Sequence, residues 1–286
     1  MGAPRIPSHR DLDVDNRRVL VRVDFNVPLG DDGTVGDDTR MVSSMPTLKS
    51  LLERGAKLIV ASHLGRPKGA FDAEYAMEPV AGRLAELLGR EVRVPADEVV
   101  GDATTKLVND LRGGQVLLLQ NLRFHPGETK NDAKFSQALA ALCDAYVNDA
   151  FGASHRAHAS VVGVPALVHA HAAGELLQSE LTALSRLVDA PERPFVAIVG
   201  GAKVSDKLGV LVALVERLVA GDSLVIGGAM ANTFLAAGGA AMGASLQERD
   251  RYSECKTVLE KARARDVTVV LPTDVRVGTS HDAGSA

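Results

Sequence analysis

The chain has 286 residues, 46% of them hydrophobic and 24% charged, which is enough for two domains with separate cores and excludes a disordered chain. A formal net charge of -4, from 32 basic and 36 acidic residues, gives no overall field to draw nucleic acid or an anionic membrane. Any anion site must therefore be a local cluster.

Charges in residues 1–18 stand where a signal peptide would need an apolar core, and no apolar run is long enough to span a bilayer. Val19, Leu20, Val21 and Val23 then form a nearly continuous apolar run, the pattern of a strand buried on both faces of a parallel sheet. Asp24 and Asn26 follow at its carboxyl end, and Pro28 stops the ladder. After a Gly- and Asp-rich loop comes Arg40, then an apolar-periodic segment with Leu48, Leu51 and Leu52 that Gly55 ends. Residues 57–61 read as a second strand, ending in Ser62, His63, Leu64, Gly65, Arg66 and Pro67. A helix over 78–88 is closed by Gly89, and a short strand follows at 92–94. A third apolar strand, 116–119, ends in Asn121, Leu122, Arg123 and Phe124. A helix over 132–142 and a strand over 145–147 lead to Asn148, Asp149 and a loop carrying His155, Arg156 and His158. Strand and helix alternate, so the expected fold is a parallel, doubly wound sheet with right-handed crossovers.

One amphipathic helix is expected over 175–187, with Leu176, Leu177, Leu181, Leu184 and Leu187 at helical spacing. Pro191 and Pro194 mark a boundary after it. The predicted division is a first domain over 1–172, a joining helix within 173–190 and a second domain over 191–286. In the second, strands are expected over 195–199, 224–226 and 267–271, with helices over 205–218, near 230–236 and over 249–265. A tail of small and polar residues, 278–286, ends the chain. Cys143 and Cys255 fall in helix-like segments and form neither a disulfide framework nor a metal motif, which suits a reducing cytoplasm. The fold class is α/β with two Rossmann-like lobes of parallel sheet, the first complete and the second short of strands.

Four strand ends of the first domain carry polar groups: Asp24 with Asn26, His63 with Arg66, Arg123, and Arg156 beside His155 and His158. Parallel strands would bring these to one edge, where ligands bind in open α/β sheets. Arginines converging there repel unless an anion is bound, and their planar forks suit carboxylate and phosphate. A small, multiply anionic ligand is implied. His155 and His158 lack a third ligand at metal spacing, so no metal site is expected. In the second domain, Gly200, Gly201, Ala202 and Lys203 link strand to helix, with Lys207 one turn on. Small residues there let backbone N–H groups approach a phosphate at a helix N-terminus; tight helix-on-strand packing explains them equally well. Gly227 and Gly228 repeat the arrangement after the next strand. An arginine-lined pocket and a glycine-rich nucleotide edge together suggest phosphoryl transfer across a cleft. No dinucleotide fingerprint supports a nicotinamide dehydrogenase.

The segments RVDFNVP (22–28), SHLGRPKG (62–69), NLRFHPGE (121–128), YVNDAFGASHRAHAS (146–160) and GGAKVSDKLGVL (200–211) resemble phosphoglycerate kinase, in order and over nearly the whole chain. The resemblance implies reversible phosphoryl transfer from 1,3-bisphosphoglycerate to ADP, giving 3-phosphoglycerate and ATP in glycolysis, by a cytoplasmic monomer without nucleic-acid or membrane partners. It implies that the first lobe holds 3-phosphoglycerate through Asp24, Phe25, Asn26, Arg40, His63, Leu64, Gly65, Arg66, Arg123 and Arg156. Arg40 and Lys203 would be catalytic, facing the group in flight. Lys203 and Lys207 would meet the nucleotide phosphates, with Gly201, Gly227 and Gly228 lining that site. The nucleotide would enter as Mg-ATP or Mg-ADP. Ala229 and Asn232 depart from the family pattern, which has a third glycine and an aromatic there. Family members also continue past residue 286, and their further part carries the magnesium ligand. The alternative expectation is a fragment that binds 3-phosphoglycerate without turnover.

Overall fold

The computed structural model describes residues 6–31, 33–188, 191–276 and 278; residues 1–5 and 279–286, most of the expected tail, lie outside it. The chain divides into two compact units, residues 1–184 and 185–286.

Unit 1 is built on a six-stranded sheet in the order β3-β4-β2-β1-β5-β6, every pairing parallel. The strands are β1 (Arg18–Arg22), β2 (Lys57–Ala61), β3 (Val92–Arg93), β4 (Val116–Leu118), β5 (Ala145–Asn148) and β6 (His171–Ala173). The helices are α1 (Thr39–Glu53), α2 (Glu78–Leu88), α3 (Asp102–Asn109), α4 (Ala133–Ala141), α5 (Val164–Leu167) and α6 (Glu175–Val188), the last running into unit 2. The two-residue period of β1 divides its side chains between two cores. Val19 and Val21 join α1 and α2 residues such as Met41, Leu48 and Leu84 on one face, while Leu20 joins Ile59, Leu117 and Tyr146 on the other. Both faces are covered, as parallel sheets require. The chain winds from β1 towards β3 on one side and from β5 to β6 on the other. The crevice between β1 and β5 is thus the topological switch point, where ligands bind in such sheets.

Local sequence explains the ends of the elements. Gly55 and Gly89 take φ of +81° and +63° just after α1 and α2, the left-handed conformation that glycine adopts without steric cost. Asp132 caps α4 by accepting from the Phe135 N–H at 2.9 Å. Cys143 lies in the turn after α4 rather than inside a helix, because α4 ends two residues earlier; it is buried and free, as is Cys255.

Unit 2 has a three-stranded parallel sheet in the order β7-β8-β9, formed by β7 (Val196–Gly200), β8 (Ser223–Gly227) and β9 (Thr268–Val270). Helices α7 (Leu208–Arg217), α8 (Ala229–Ala237) and α9 (Tyr252–Ala264) bury Leu211, Met230, Phe234 and Val258 against Leu224 and Ile226. The opposite face carries apolar side chains in the open: Ile198 is 77% and Val196 53% exposed. Two helix starts differ from expectation. The segment before α9 opens as a single 3-10 turn, Arg249–Arg251. Helix α7 begins at Leu208 rather than Ser205, since the Val204 and Ser205 N–H groups bond to Glu248 and hold a turn there. Among the described residues, no helix is long and apolar enough to cross a membrane.

Candidate functional site

The expected strand ends do meet at the carboxyl edge of the unit 1 sheet. Asp24, just beyond β1, lies 3.4 Å from the Arg40 guanidinium and 3.8 Å from His63 Nδ1. Arg40 sits in the first turn of α1, which is fixed from outside: Arg83 of α2 donates to the Asp38 carboxylate at 2.7 and 2.9 Å. The loop after β5 closes on Asp24, so a Cβ on Gly152 would fall 2.8 Å from Asp24 Oδ2. That approach needs glycine.

Backbone at 64–65 is gripped on both sides. Asn121 accepts from the Leu64 N–H at 3.2 Å and donates to the Leu64 carbonyl at 2.7 Å. Asn26 accepts from the Gly65 N–H at 2.8 Å, and Arg123 donates to the Gly65 carbonyl. Gly65 itself has φ of +56° and lies under Tyr75, whose ring a Cβ there would strike. The Phe25 and Leu64 side chains belong to the core. Only their backbone is placed to meet a ligand, and the Phe25 N–H already donates to Ser62 Oγ at 2.8 Å.

Positive charge is concentrated at this edge. Arg123 is held below the usual guanidinium range by burial and by the neighbouring Arg156, Arg22 and Arg66 charges. His63 is pushed down to about 2 by burial first and then by Arg22, Arg123, Arg156 and His158. It stays neutral at any working pH. Among the described residues, no carboxylate pairs with Arg66, Arg123 or Arg156 within 4.0 Å. Such clustering of like charge is unfavourable until an anion arrives.

Sequence reading missed the layer beneath. Arg22, at the end of β1, is wholly buried and donates through Nε to Ser160 Oγ at 2.8 Å. Ser160 in turn donates its hydroxyl to Glu128, also wholly buried, at 2.5 Å. An arginine closing an otherwise apolar central strand was the available signal, because a charge there must be buried and paired.

In unit 2 the glycine turns at the ends of β7 and β8 lie side by side, Gly200 pairing with Gly227. Gly228 has φ of +68°, and a Cβ there would fall 2.7 Å from the Gly201 carbonyl oxygen. The Met230 N–H donates to that same carbonyl at 2.9 Å. Lys203 and Lys207 are exposed on the turn before α7. Glu248 clamps this turn, accepting from the Ser205 hydroxyl at 2.7 Å and the Ser205 N–H at 3.1 Å, and from the Val204 N–H. Ala229 opens α8 beside these turns, while Asn232 donates to the Leu246 carbonyl at 3.1 Å. Among the described residues, no group of three His, Cys, Asp or Glu is placed to hold a metal ion.

A parallel sheet with arginines at its carboxyl edge that have no carboxylate partner among the described residues, joined in one chain to a second parallel unit with paired glycine turns and two lysines, defines an α/β protein of two parallel-sheet units. The family model described as phosphoglycerate kinase matches residues 9–286. The chain belongs to the phosphoglycerate kinase family. It is 53% identical over 266 residues to the phosphoglycerate kinase of Anaeromyxobacter sp. (strain Fw109-5), covering 92% of this chain and 66% of that protein. It is 51% identical over 275 residues to that of Pelotomaculum thermopropionicum, covering 96% and 68%. The solved phosphoglycerate kinase of Coxiella burnetii superimposes with a TM-score of 0.85 at 38% identity, covering 94% of this chain and 66% of that one. The chain spans about two thirds of the length of these relatives.

Proposed function

We propose that this chain carries out the phosphoglycerate kinase reaction, the reversible transfer of a phosphoryl group between 1,3-bisphosphoglycerate and ADP. The observation that carries the proposal is the trio Arg66, Arg123 and Arg156, which lack carboxylate partners among the described residues: Arg123 and Arg156 bear on His63, and Arg66 bears on Arg123. 3-Phosphoglycerate supplies a carboxylate at one end and a phosphate at the other, so it can neutralise several guanidinium groups at once. In the ATP-forming direction an oxygen of ADP attacks the acyl phosphorus. The bond from phosphorus to the carboxyl oxygen breaks, and the carboxylate leaves on 3-phosphoglycerate.

The roles divide by unit. In unit 1, Arg66, Arg123, Arg156, Asn26 and His63 bind and orient the triose, with backbone from Phe25, Leu64 and Gly65. Arg40 is the mobile cation: its side chain is 54% exposed and its bond to Asp24 is long at 3.4 Å, so little is lost when it turns to the phosphoryl oxygens. In unit 2, Lys203 and Lys207 meet the nucleotide phosphates, Lys203 also facing the transferred group, and Gly201, Gly227 and Gly228 let backbone approach. Mg-ADP or Mg-ATP is the nucleotide form, the metal neutralising phosphate charge when bound. The protein acts in the cytoplasm as a monomer without nucleic-acid or membrane partners.

Two measurements test this. Calorimetry should show 3-phosphoglycerate binding that weakens as salt is raised, and a coupled assay should show ADP production above a blank. Absence of both would end the proposal. Binding without turnover would restrict the chain to the role of a triose-phosphate binder.

A further inference from the structure

Arg22 is the largest wholly buried side chain among the described residues, and Nε and both terminal nitrogens are engaged. It lies on the same sheet face as Leu20, two residues before it. Its Nε–H donates to Ser160 Oγ at 2.8 Å, and Ser160 passes the interaction on to Glu128, with its hydroxyl 2.5 Å from Oε1 and its N–H 3.0 Å from Oε2. One terminal nitrogen donates to the Val23 carbonyl. The other lies 3.1 Å from His63 Nδ1.

A guanidinium has donors only. At the Arg22–His63 contact the imidazole must therefore accept, and Nδ1 carries its lone pair. A neutral ring then bears its proton on Nε2. Among the described residues, the groups facing His63 add no competing acceptor within hydrogen-bond distance. Arg123, Arg156 and His158 bring positive charge or none, and Asp24 Oδ1 stands 3.8 Å from Nδ1, beyond hydrogen-bond distance. Burial and these cations oppose protonation of the ring, which is 6% exposed.

We propose that Arg22 is a positioning residue that locks His63 in its Nε2–H tautomer, so that His63 offers a neutral hydrogen-bond donor to an oxygen of the bound anion. Only the identity of that anion, 3-phosphoglycerate, rests on the function proposed above. A neutral donor favours an acceptor oxygen without adding charge to a rim that is already strongly positive. Glu128, relayed through Ser160, is the counter-charge that allows the Arg22 cation to remain buried. A buried ion pair serving packing alone would leave the histidine tautomer indifferent to Arg22.

The test is a long-range 1H–15N correlation spectrum of the full chain labelled in histidine, recorded from pH 5 to 8. The expected result is an unprotonated shift at His63 Nδ1 and a protonated shift at Nε2, both constant across the range. An Nδ1–H form, a mixture of tautomers, or a titration midpoint inside that range would overturn the proposal. Replacing Arg22→Met together with Glu128→Gln removes the cation without stranding the carboxylate. In that variant the His63 signals should shift to a tautomer mixture and affinity for 3-phosphoglycerate should fall about 10- to 100-fold. Arg22→Lys, which keeps a donor, should retain the Nε2–H form. A folded double variant with an unchanged tautomer would also overturn the proposal; if it does not fold, the wild-type spectrum decides alone. A locked His63 in a chain with no affinity for 3-phosphoglycerate would refute the substrate and uphold the tautomer. Binding by a chain whose His63 titrates would do the reverse.

Discussion

Asp149 offers a measurement that needs no ligand. It follows β5, and its carboxylate lies wholly buried beneath the N-terminus of α6, where Oδ1 accepts from the Leu177 N–H at 3.2 Å. Oδ2 has no partner. Burial pushes this carboxyl up to about 6 from 3.8, against the hydrogen bonds that favour its charge. The folded chain therefore holds a proton between pH 3.8 and 6 that the unfolded chain has released. Stability falls as pH rises through that window, and the whole deficit is present above it. Two pKa units correspond to about 3 kcal/mol, of which about 2 kcal/mol accrues between pH 4.5 and 7.5. Asp149→Asn keeps the shape and the Leu177 acceptor but cannot ionise. Its stability relative to wild type should climb by about 2 kcal/mol across that interval, while all other titrations cancel in the difference. The two units need not unfold together, so urea unfolding should be followed through the amide signals of β1 and β5, which report unit 1. A difference that stays flat with pH would show that Asp149 is solvated or paired in the folded state, and would refute the reasoning.

Three further outcomes follow from the site. Arg40→Ala should lower turnover by roughly 10³-fold, in the range seen when a charge-stabilising arginine is lost, while 3-phosphoglycerate affinity by calorimetry changes far less; equal losses would make Arg40 a ground-state anchor. Gly228→Ala combines a φ of +68° with a Cβ 2.7 Å from the Gly201 carbonyl oxygen, so it should destabilise unit 2 by about 1–3 kcal/mol; unchanged unfolding of the β8 amides would show that the turn can relax. Glu248→Gln removes the charge that clamps the turn before α7, and hydrogen exchange at the Val204 and Ser205 amides should quicken by about 10-fold. Unchanged exchange there would mean that the turn is held by other contacts.

Elements with strong local signals were legible in the sequence. Strand β2 and helix α2 keep the bounds that their apolar patterns and the Gly89 stop predict. The polar strand ends were legible for the same reason, since a buried run must stop before a charged side chain reaches solvent. Helix α3 and strand β6 were not anticipated: α3 is eight residues with mixed polar content, and β6 is His-Ala-Ala, with no β-branched residue to announce it. The start of α7 was misplaced because its determinant, Glu248, is more than forty residues away. Arg22, Glu128 and Ser160 escaped for a similar reason. Glu128 and Ser160 taken alone read as ordinary polarity, and Arg22 at the end of an apolar strand signals a buried charge without naming the distant segment that pairs with it.

That buried layer sets how much charge is left unopposed at the rim. Arg22 is balanced by Glu128 through Ser160, and Arg40 shares Asp24. A hydrophobic cluster of the same volume would cost the fold less than these buried charges, so their value lies in what they do to the edge above. With two cations balanced, Arg66, Arg123 and Arg156 remain, three positive charges without a protein counterpart among the described residues. His63 adds no fourth, because burial first, and then Arg22 and the neighbouring cations, keep its imidazole uncharged. A phosphate monoester carries about −1.5 to −2 at neutral pH, and one carboxylate brings the ligand close to three negative charges. Inorganic phosphate or a simple carboxylate would leave part of the guanidinium repulsion standing. For the ligand proposed above, the charge match is thus set by residues that need not touch it, through the number of charges they leave unopposed.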